Sequence, residues 1–141
     1  MIKIEINQKV GKKLNEKLVN KIINLTLEKV GVQEAEISVA FVGDAEMKKM
    51  NKQYRGKNKT TDVLSFVYET YDSRQKKPLQ GEIIISYPQA ARQARCGLGE
   101  EIKFLLIHGL LHLCGYDHEK SLKEAEQMEK QQNKIVTLLN G

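Results

Sequence analysis

Between Ile102 and Leu113, eight of twelve residues are large aliphatics or Phe, interrupted only by Lys103, His108, Gly109 and His112. A helix that is apolar on nearly every side has no solvent face and must sit at the centre of a domain. The longest unbroken apolar run, Phe104 to Ile107, is far below the roughly 18 residues a bilayer span needs, so the segment predicts a core helix rather than a membrane helix. The remaining chain has to wrap it. With 141 residues, 40% of them hydrophobic, there is enough chain for one domain with a real core and no second one.

The patterns flanking that helix set the fold class. Residues 2–7 alternate apolar and polar and predict a strand. No signal or transit peptide is apparent in them, so the expectation is a cytoplasmic protein. Residues 9–30 predict a helix, with Leu14, Leu18, Ile22, Ile23 and Leu27 at helical spacing and Gly31 closing it. Ile37 to Val42 predicts a strand, and Asp44 an N-cap for a short helix reaching Tyr54. Two further strands are expected over 62–68 and 82–86, separated by a loop at 71–80. Pro88 opens a helix that Gly97 is expected to end. The central helix follows over 99–113, and Ser121-Leu122-Lys123-Glu124 forms a capping box for a last helix to about Leu139. The sum is an α+β fold, a single domain over 1–141 with about four strands and five helices. It predicts a small mixed sheet packed against helices, with a buried, zincin-like central helix. Strand order does not follow from these patterns.

Charge and cysteines narrow the function classes. Twenty-three Lys and Arg against eighteen Asp and Glu give a net charge of +5. That favours anionic partners such as RNA, though weakly, since many ordinary domains carry as much. Cys96 and Cys114 have neither CxxC spacing nor a partner pair, so they predict free thiols and no disulfide framework.

All three histidines lie in the run His108-Gly109-Leu110-Leu111-His112-Leu113-Cys114-Gly115-Tyr116-Asp117-His118. His108 and His112, four apart, share one helix face a turn from each other. Gly115 allows a tight turn that can return His118 to the same point. A single core histidine usually has an ordinary structural role. Three at ligand spacing are different, because each buried imidazole needs a polar partner or costs about 1–3 kcal/mol. One shared ion satisfies all three. Three neutral imidazoles suit zinc at about 2.0–2.1 Å with a fourth position open, the arrangement of a catalytic rather than a closed structural site. Nickel is the alternative ion, since imidazole binds both.

The helix resembles the His-Glu-x-x-His pattern of zinc peptidases, with Gly109 where the general-base Glu stands. Glycine cannot accept a proton, so peptide hydrolysis is disfavoured. A metal alone can still bring the pKa of water towards about 7. A structural metal would need a fourth protein ligand, for which Asp117 or Cys114 is available. Cys114 lies on a different face from His108 and His112 and reads as a small buried residue. Asp117 reads equally as a group orienting a histidine or as a cap on the turn.

The same run resembles, at every fixed position, the signature His-Gly-x-Leu-His-Leu-x-Gly-Tyr-Asp-His of the YbeY family of metal-dependent single-strand endoribonucleases. Asn51, Tyr54, Arg55 and Thr61-Asp62-Val63-Leu64-Ser65-Phe66 are similar to a second family segment. Gly81-Glu82-Ile83 to Ser86 is similar to the strand before its long helix. Length and element order agree, so the resemblance spans essentially the whole chain. Glu82 and Val67 depart from the Asp and Pro common in the family; neither touches the histidine run. The resemblance implies action on rRNA, at the 3′ end of small-subunit rRNA, and in ribosome quality control. It implies a metal held by His108, His112 and His118, with Arg55 as the functional arginine of the cleft and single-stranded RNA and the ribosome as partners.

The chemistry of the residues agrees with that expectation. Phosphodiester hydrolysis gathers negative charge on phosphoryl oxygens, which a metal ion and a guanidinium stabilise. The catalytic set is therefore expected to be Arg55, His108, His112 and His118. Lys48, Lys49, Lys52, Lys57 and Lys59 surround Arg55 and can track a phosphate backbone, although each alone reads as an ordinary solvated lysine. Asp62 and Ser65 are candidates for supporting the cleft, and Tyr116 for stacking a base or simply packing. The competing readings are a ribosome-assembly factor with a structural metal and, less favoured, a metallopeptidase.

Overall fold

Side-chain alternation along the strands decides which face of the sheet becomes core. In the computed structural model, which describes residues 1–117 and 119–140, the elements in chain order are β1 (Ile2–Gln8), α1 (Glu16–Lys29), β2 (Ala35–Val42), α2 (Asp44–Arg55), β3 (Val63–Glu69), β4 (Leu79–Ser86), α3 (Tyr87–Gln93), α4 (Leu98–Leu113) and α5 (Leu122–Asn140). The sheet order is β1-β2-β4-β3. The β1–β2 and β2–β4 pairings are parallel, and β3 runs antiparallel to β4 at one edge. This is the α+β domain with a mixed sheet that the sequence predicts. Among the described residues no helix is long and apolar enough to cross a membrane.

One sheet face carries Ile37, Val39, Phe41, Leu79, Ile83 and Ile85 of the main core cluster, with the partly buried Ile2, Ile4 and Ile6 packed against it. Helices α1 and α4 cover it. The opposite face is split. At one end Val42, Leu64 and Ile84 pack under Met47 of α2 in a second, smaller cluster. At the other end Lys3, Glu5, Glu36, Ser38, Tyr68 and Glu82 line an open concavity. The near-continuous apolar run of β4 follows from this, since its Ile83, Ile84 and Ile85 meet cover on both faces.

Helix α4 is the central element, touching α1, α3, α5, β3 and β4. Leu105, Leu106, Ile107, Leu110 and Leu111 are at most 2% exposed. The expectation of a helix buried on nearly every side holds, with Phe104 at 45% exposure and the half-buried His108 and His112 as the exceptions over 102–113. Lys103 is buried, but its Nζ reaches Glu100 Oε1 at 2.9 Å and Asn140 Oδ1 at 2.7 Å, which ties the end of α5 to α4. Two glycines set how closely α4 seats on the sheet. A Cβ on Gly109 would lie 3.1 Å from both Ile83 Cγ2 and Ser65 Oγ, and one on Gly81 would lie 2.9 Å from Leu113.

The strand expected over 82–86 begins at Leu79, inside the expected loop, because β4 pairs with β2 from Leu79 onward. Three helix boundaries also differ from the sequence expectation, each for a local reason. The helix expected over 9–30 begins only at Glu16. Lys9 N–H donates to Phe41 C=O at 2.9 Å, prolonging the strand pairing, and Gly11 turns the chain at φ +89°. The Asn15 side chain then caps α1 by accepting from Lys17 N–H and Leu18 N–H. Asp44 is not the cap of α2 but its first helical residue, with Gly43 as the cap; its carboxylate is engaged elsewhere. Gly97 does not end the helix opened near Pro88. That helix, α3, is capped by the Ser86 hydroxyl and stops at Gln93, and Gly97 stands at the start of α4. The hydroxyl of Ser121 accepts from Glu124 N–H at 3.1 Å, as the capping box at α5 predicts.

The seat of α4 yields a stability prediction. Gly109→Leu forces side chain into the helix–sheet contact and should cost about 1–3 kcal/mol. Gly99, also in α4, has open space at its Cβ position, so Gly99→Ala should be neutral or stabilise by up to about 1 kcal/mol. Urea denaturation midpoints of the two variants check the contrast.

Candidate metal centre

The chain leaves α2 at Arg55 because Gly56 takes a left-handed cap, φ +71°. That exit places Arg55 at the mouth of a cavity of about 600 Å³, lined also by Tyr54, residues 61–67, His108, His112 and Glu119. The loop from Gly56 to Asp62 is held from below. Asn51, 1% exposed, donates from Nδ2 to Lys59 C=O at 2.8 Å. Thr60 Oγ1 donates to Asp44 Oδ1 at 3.4 Å, and Ser86 Oγ donates to the same oxygen at 3.1 Å. Arg92 grips Asp44 with two parallel N–H donors at 2.7 and 2.8 Å, the bidentate form that fixes geometry best. The Arg92 guanidinium holds the Asp44 carboxyl below its ordinary value of 3.8.

Asp62 opens β3 as a bracket. Its Oδ1 accepts from Val63 N–H at 2.7 Å and its Oδ2 from Gln93 Nε2 at 3.1 Å, while Gln93 Nε2 also reaches Glu101 Oε2 at 2.7 Å. The start of the cleft strand is thus fastened to α3 and α4. Further along, Ser65 Oγ donates to Gly109 C=O at 3.3 Å, joining strand and helix where no side chain intervenes. Asp62 and Ser65 therefore support the cleft by holding its walls.

His108 and His112 project from α4 into this cavity with ring centres 4.8 Å apart and planes at 74°. Two imidazoles bound tetrahedrally through nitrogens at about 2.0–2.1 Å would have ring centres roughly 5 Å apart. The pair fits a divalent ion in both spacing and donor chemistry. His118, the third expected ligand, lies outside the described residues, and among the described residues no three His, Cys, Asp or Glu groups cluster as a metal site. The two candidates for a fourth protein ligand have other surroundings. Cys114 packs against the core, where burial pushes its thiol up to about 11. Asp117 Oδ1 accepts from Glu119 N–H at 2.9 Å, the turn-capping role. Tyr116 is half-buried against the core, and with Cys114 and Asp117 it lines a different concavity from the one holding Arg55.

The structure thus brings Arg55, His108, His112, Asp62 and Ser65 into one cleft. Lys48, Lys49, Lys52, Lys57 and Lys59 stay exposed on α2 and the loop after it. Three residues escaped the sequence reasoning. Glu119 lines the cavity. Phe104 presents an exposed ring nearly parallel to His108, with centres 6.0 Å apart and planes at 16°. Gln132 is 3% exposed on α5, and its Oε1 lies 3.4 Å from His108 Nδ1. The available signal was its place in the stripe Met128, Gln132, Ile135, a polar residue where an apolar one belongs.

Comparison with known proteins bears on the whole chain. The model of the family described as Endoribonuclease YbeY matches residues 1–140. A Persephonella marina protein named Endoribonuclease YbeY is 42% identical over 139 residues, covering 96% of this chain and 91% of its own length. A Sulfurihydrogenibium relative of the same name is 39% identical over 142 residues, covering 97% and 92%. The solution structure of a Thermotoga maritima protein matches with a TM-score of 0.61 and 30% identity, over 99% of this chain and 89% of that one.

The Asp44–Arg92 pair yields a pH prediction. A carboxyl depressed in the folded state adds stability above its unfolded value and loses it as pH falls through the lower folded value. The pair is largely exposed, so the effect is small. Asp44→Asn should lower the denaturation midpoint slightly at pH 7. The gap to the unsubstituted protein should begin to close below about pH 4, as followed by circular dichroism across a pH series.

Proposed function

The chain belongs to the YbeY family, and we propose that it is a zinc-dependent endoribonuclease that cuts single-stranded RNA in the cytoplasm. Its substrate in this reading is rRNA, at the 3′ end of the small-subunit species, with a further part in ribosome quality control and the ribosome as its partner. The observation that carries the reading is the meeting of His108 and His112 with Arg55 in one cavity.

His108, His112 and His118 would hold the ion, with nickel as the alternative. When bound, it supplies a Lewis acid at the phosphoryl group and acidifies water. The chain's own groups do the rest. The Arg55 guanidinium pairs with non-bridging phosphoryl oxygens and stabilises the charge that grows on them. Lys48, Lys49, Lys52, Lys57 and Lys59 attract the backbone on either side of the scissile bond. The exposed rings of Tyr54 and Phe104 offer faces to unstacked bases, which a single strand can present and a duplex cannot. Ser65 is committed to the Gly109 carbonyl, so it acts as a brace rather than a nucleophile.

Gly109 supports nuclease over peptidase chemistry. The position that a zinc peptidase fills with its proton-accepting Glu here faces Ile83 and Ser65 at contact distance, leaving no room for a carboxylate.

His112→Ala should abolish both zinc uptake and cleavage of single-stranded RNA while the circular dichroism spectrum stays close to that of the parent. Full cleavage by a metal-free His112→Ala protein would refute the proposal. Arg55→Ala should retain zinc and lose about 10²–10³-fold in kcat, with Arg55→Lys intermediate because a point charge replaces a two-pronged donor.

A further inference from the structure

Gln132 is a glutamine buried in the apolar stripe of α5, one turn from Met128 and one from Ile135. Its two amide ends meet partners of different kinds. Nε2 lies 2.9 Å from the Phe104 carbonyl oxygen, and Oε1 lies 3.4 Å from His108 Nδ1. A backbone carbonyl can only accept, so the amide must turn its NH₂ end towards Phe104. The end left facing the imidazole is then an oxygen, which also only accepts. His108 Nδ1 must therefore carry the proton.

We propose that Gln132 is a positioning residue that locks His108 in the tautomer protonated on Nδ1, leaving the Nε2 lone pair for the metal. The proposal rests on the metal reading above. Phe104 is one helical turn before His108, so its carbonyl is also the acceptor for the His108 backbone amide. Gln132 thus bridges the backbone bond and the imidazole of the same residue. The Phe104 ring, stacked on the imidazole at 16°, limits rotation from another side. The bond from Lys103 to Asn140 fastens the end of α5, so the helix bearing Gln132 is fixed to the helix bearing His108. A ligand ring held by a hydrogen bond to its other nitrogen is oriented before the ion arrives, and loss of such a partner typically costs 10–100-fold in metal affinity.

The test uses the metal-free protein with ¹⁵N-labelled histidine, at about pH 8.5, above the ordinary imidazole pKa of about 6.5. The unsubstituted protein should show His108 as the Nδ1–H tautomer. Gln132→Met fills similar space without either hydrogen bond and should lose that preference. Gln132→Glu keeps an acceptor facing Nδ1 and should retain it. Titration with zinc ion should give a dissociation constant raised 10–100-fold in Gln132→Met. An Nε2–H tautomer at His108 in the unsubstituted protein would overturn the proposal however the variants fold. So would an unchanged zinc affinity in folded Gln132→Met, and so would an Nδ1–H tautomer that persists in folded Gln132→Met, which would mean that packing alone holds the ring. Should the unsubstituted protein show the Nδ1–H tautomer yet take up no zinc, the tautomer assignment would stand and the metal reading would fall.

Discussion

The close seating of α4 on β3 and β4 is the constraint from which the rest of the molecule follows. A side-chain-free contact at Gly109 lets the helix approach until the Ser65 hydroxyl reaches its backbone carbonyl. One face of the helix is thereby brought beside the edge strand β3, beyond which no further strand pairs among the described residues. His108 and His112 occupy that face. A bulkier residue at the same contact would push the helix away and separate imidazoles from cleft strand, since packed interiors transmit such displacements rather than absorb them.

Around that contact, polar groups do what apolar packing cannot: they fix directions. Asp44 and Asp62 are each held from two or more sides, the first by Arg92, Ser86 and Thr60, the second by Gln93 and the backbone of Val63. Together they anchor both ends of the segment that carries the basic loop into β3. Partly buried networks of this kind define one geometry because each broken bond leaves a group without a partner. The loop lysines remain solvated and, among the described residues, carry no such network.

Much of this was legible in the sequence because it was written in periodicity or in a dense motif. The alternation of Ile2, Ile4 and Ile6, the apolar run of α4 and the Ser121 capping box each carry a local physical signal, and each element appears where expected. The spacing of His108 and His112 alone put both rings on one face. Other features depend on contacts distant in sequence. Asp44 looked like a cap because acidic residues favour that position; Arg92, far along the chain, drew its carboxylate away. Leu14 continued the helical spacing of α1, yet the Asn15 cap and the Gly11 turn shortened that helix. Strand order was unreadable because the parallel pairings β1–β2 and β2–β4 join strands distant in sequence, which local patterns do not encode. Gln132 could be noticed as an oddity in its stripe, but its meaning required the Phe104 carbonyl and the His108 imidazole to be seen together.

The cleft draws on α2, β3 and α4, and α5 packs behind His108, although these segments are scattered along the chain. During synthesis at the ribosome the arginine emerges first, the histidines much later and the supporting helix after them. No fragment ending before α4 brings Arg55, His108 and His112 into one cleft. The cleft therefore comes into being only when the whole domain has closed, early and late segments together.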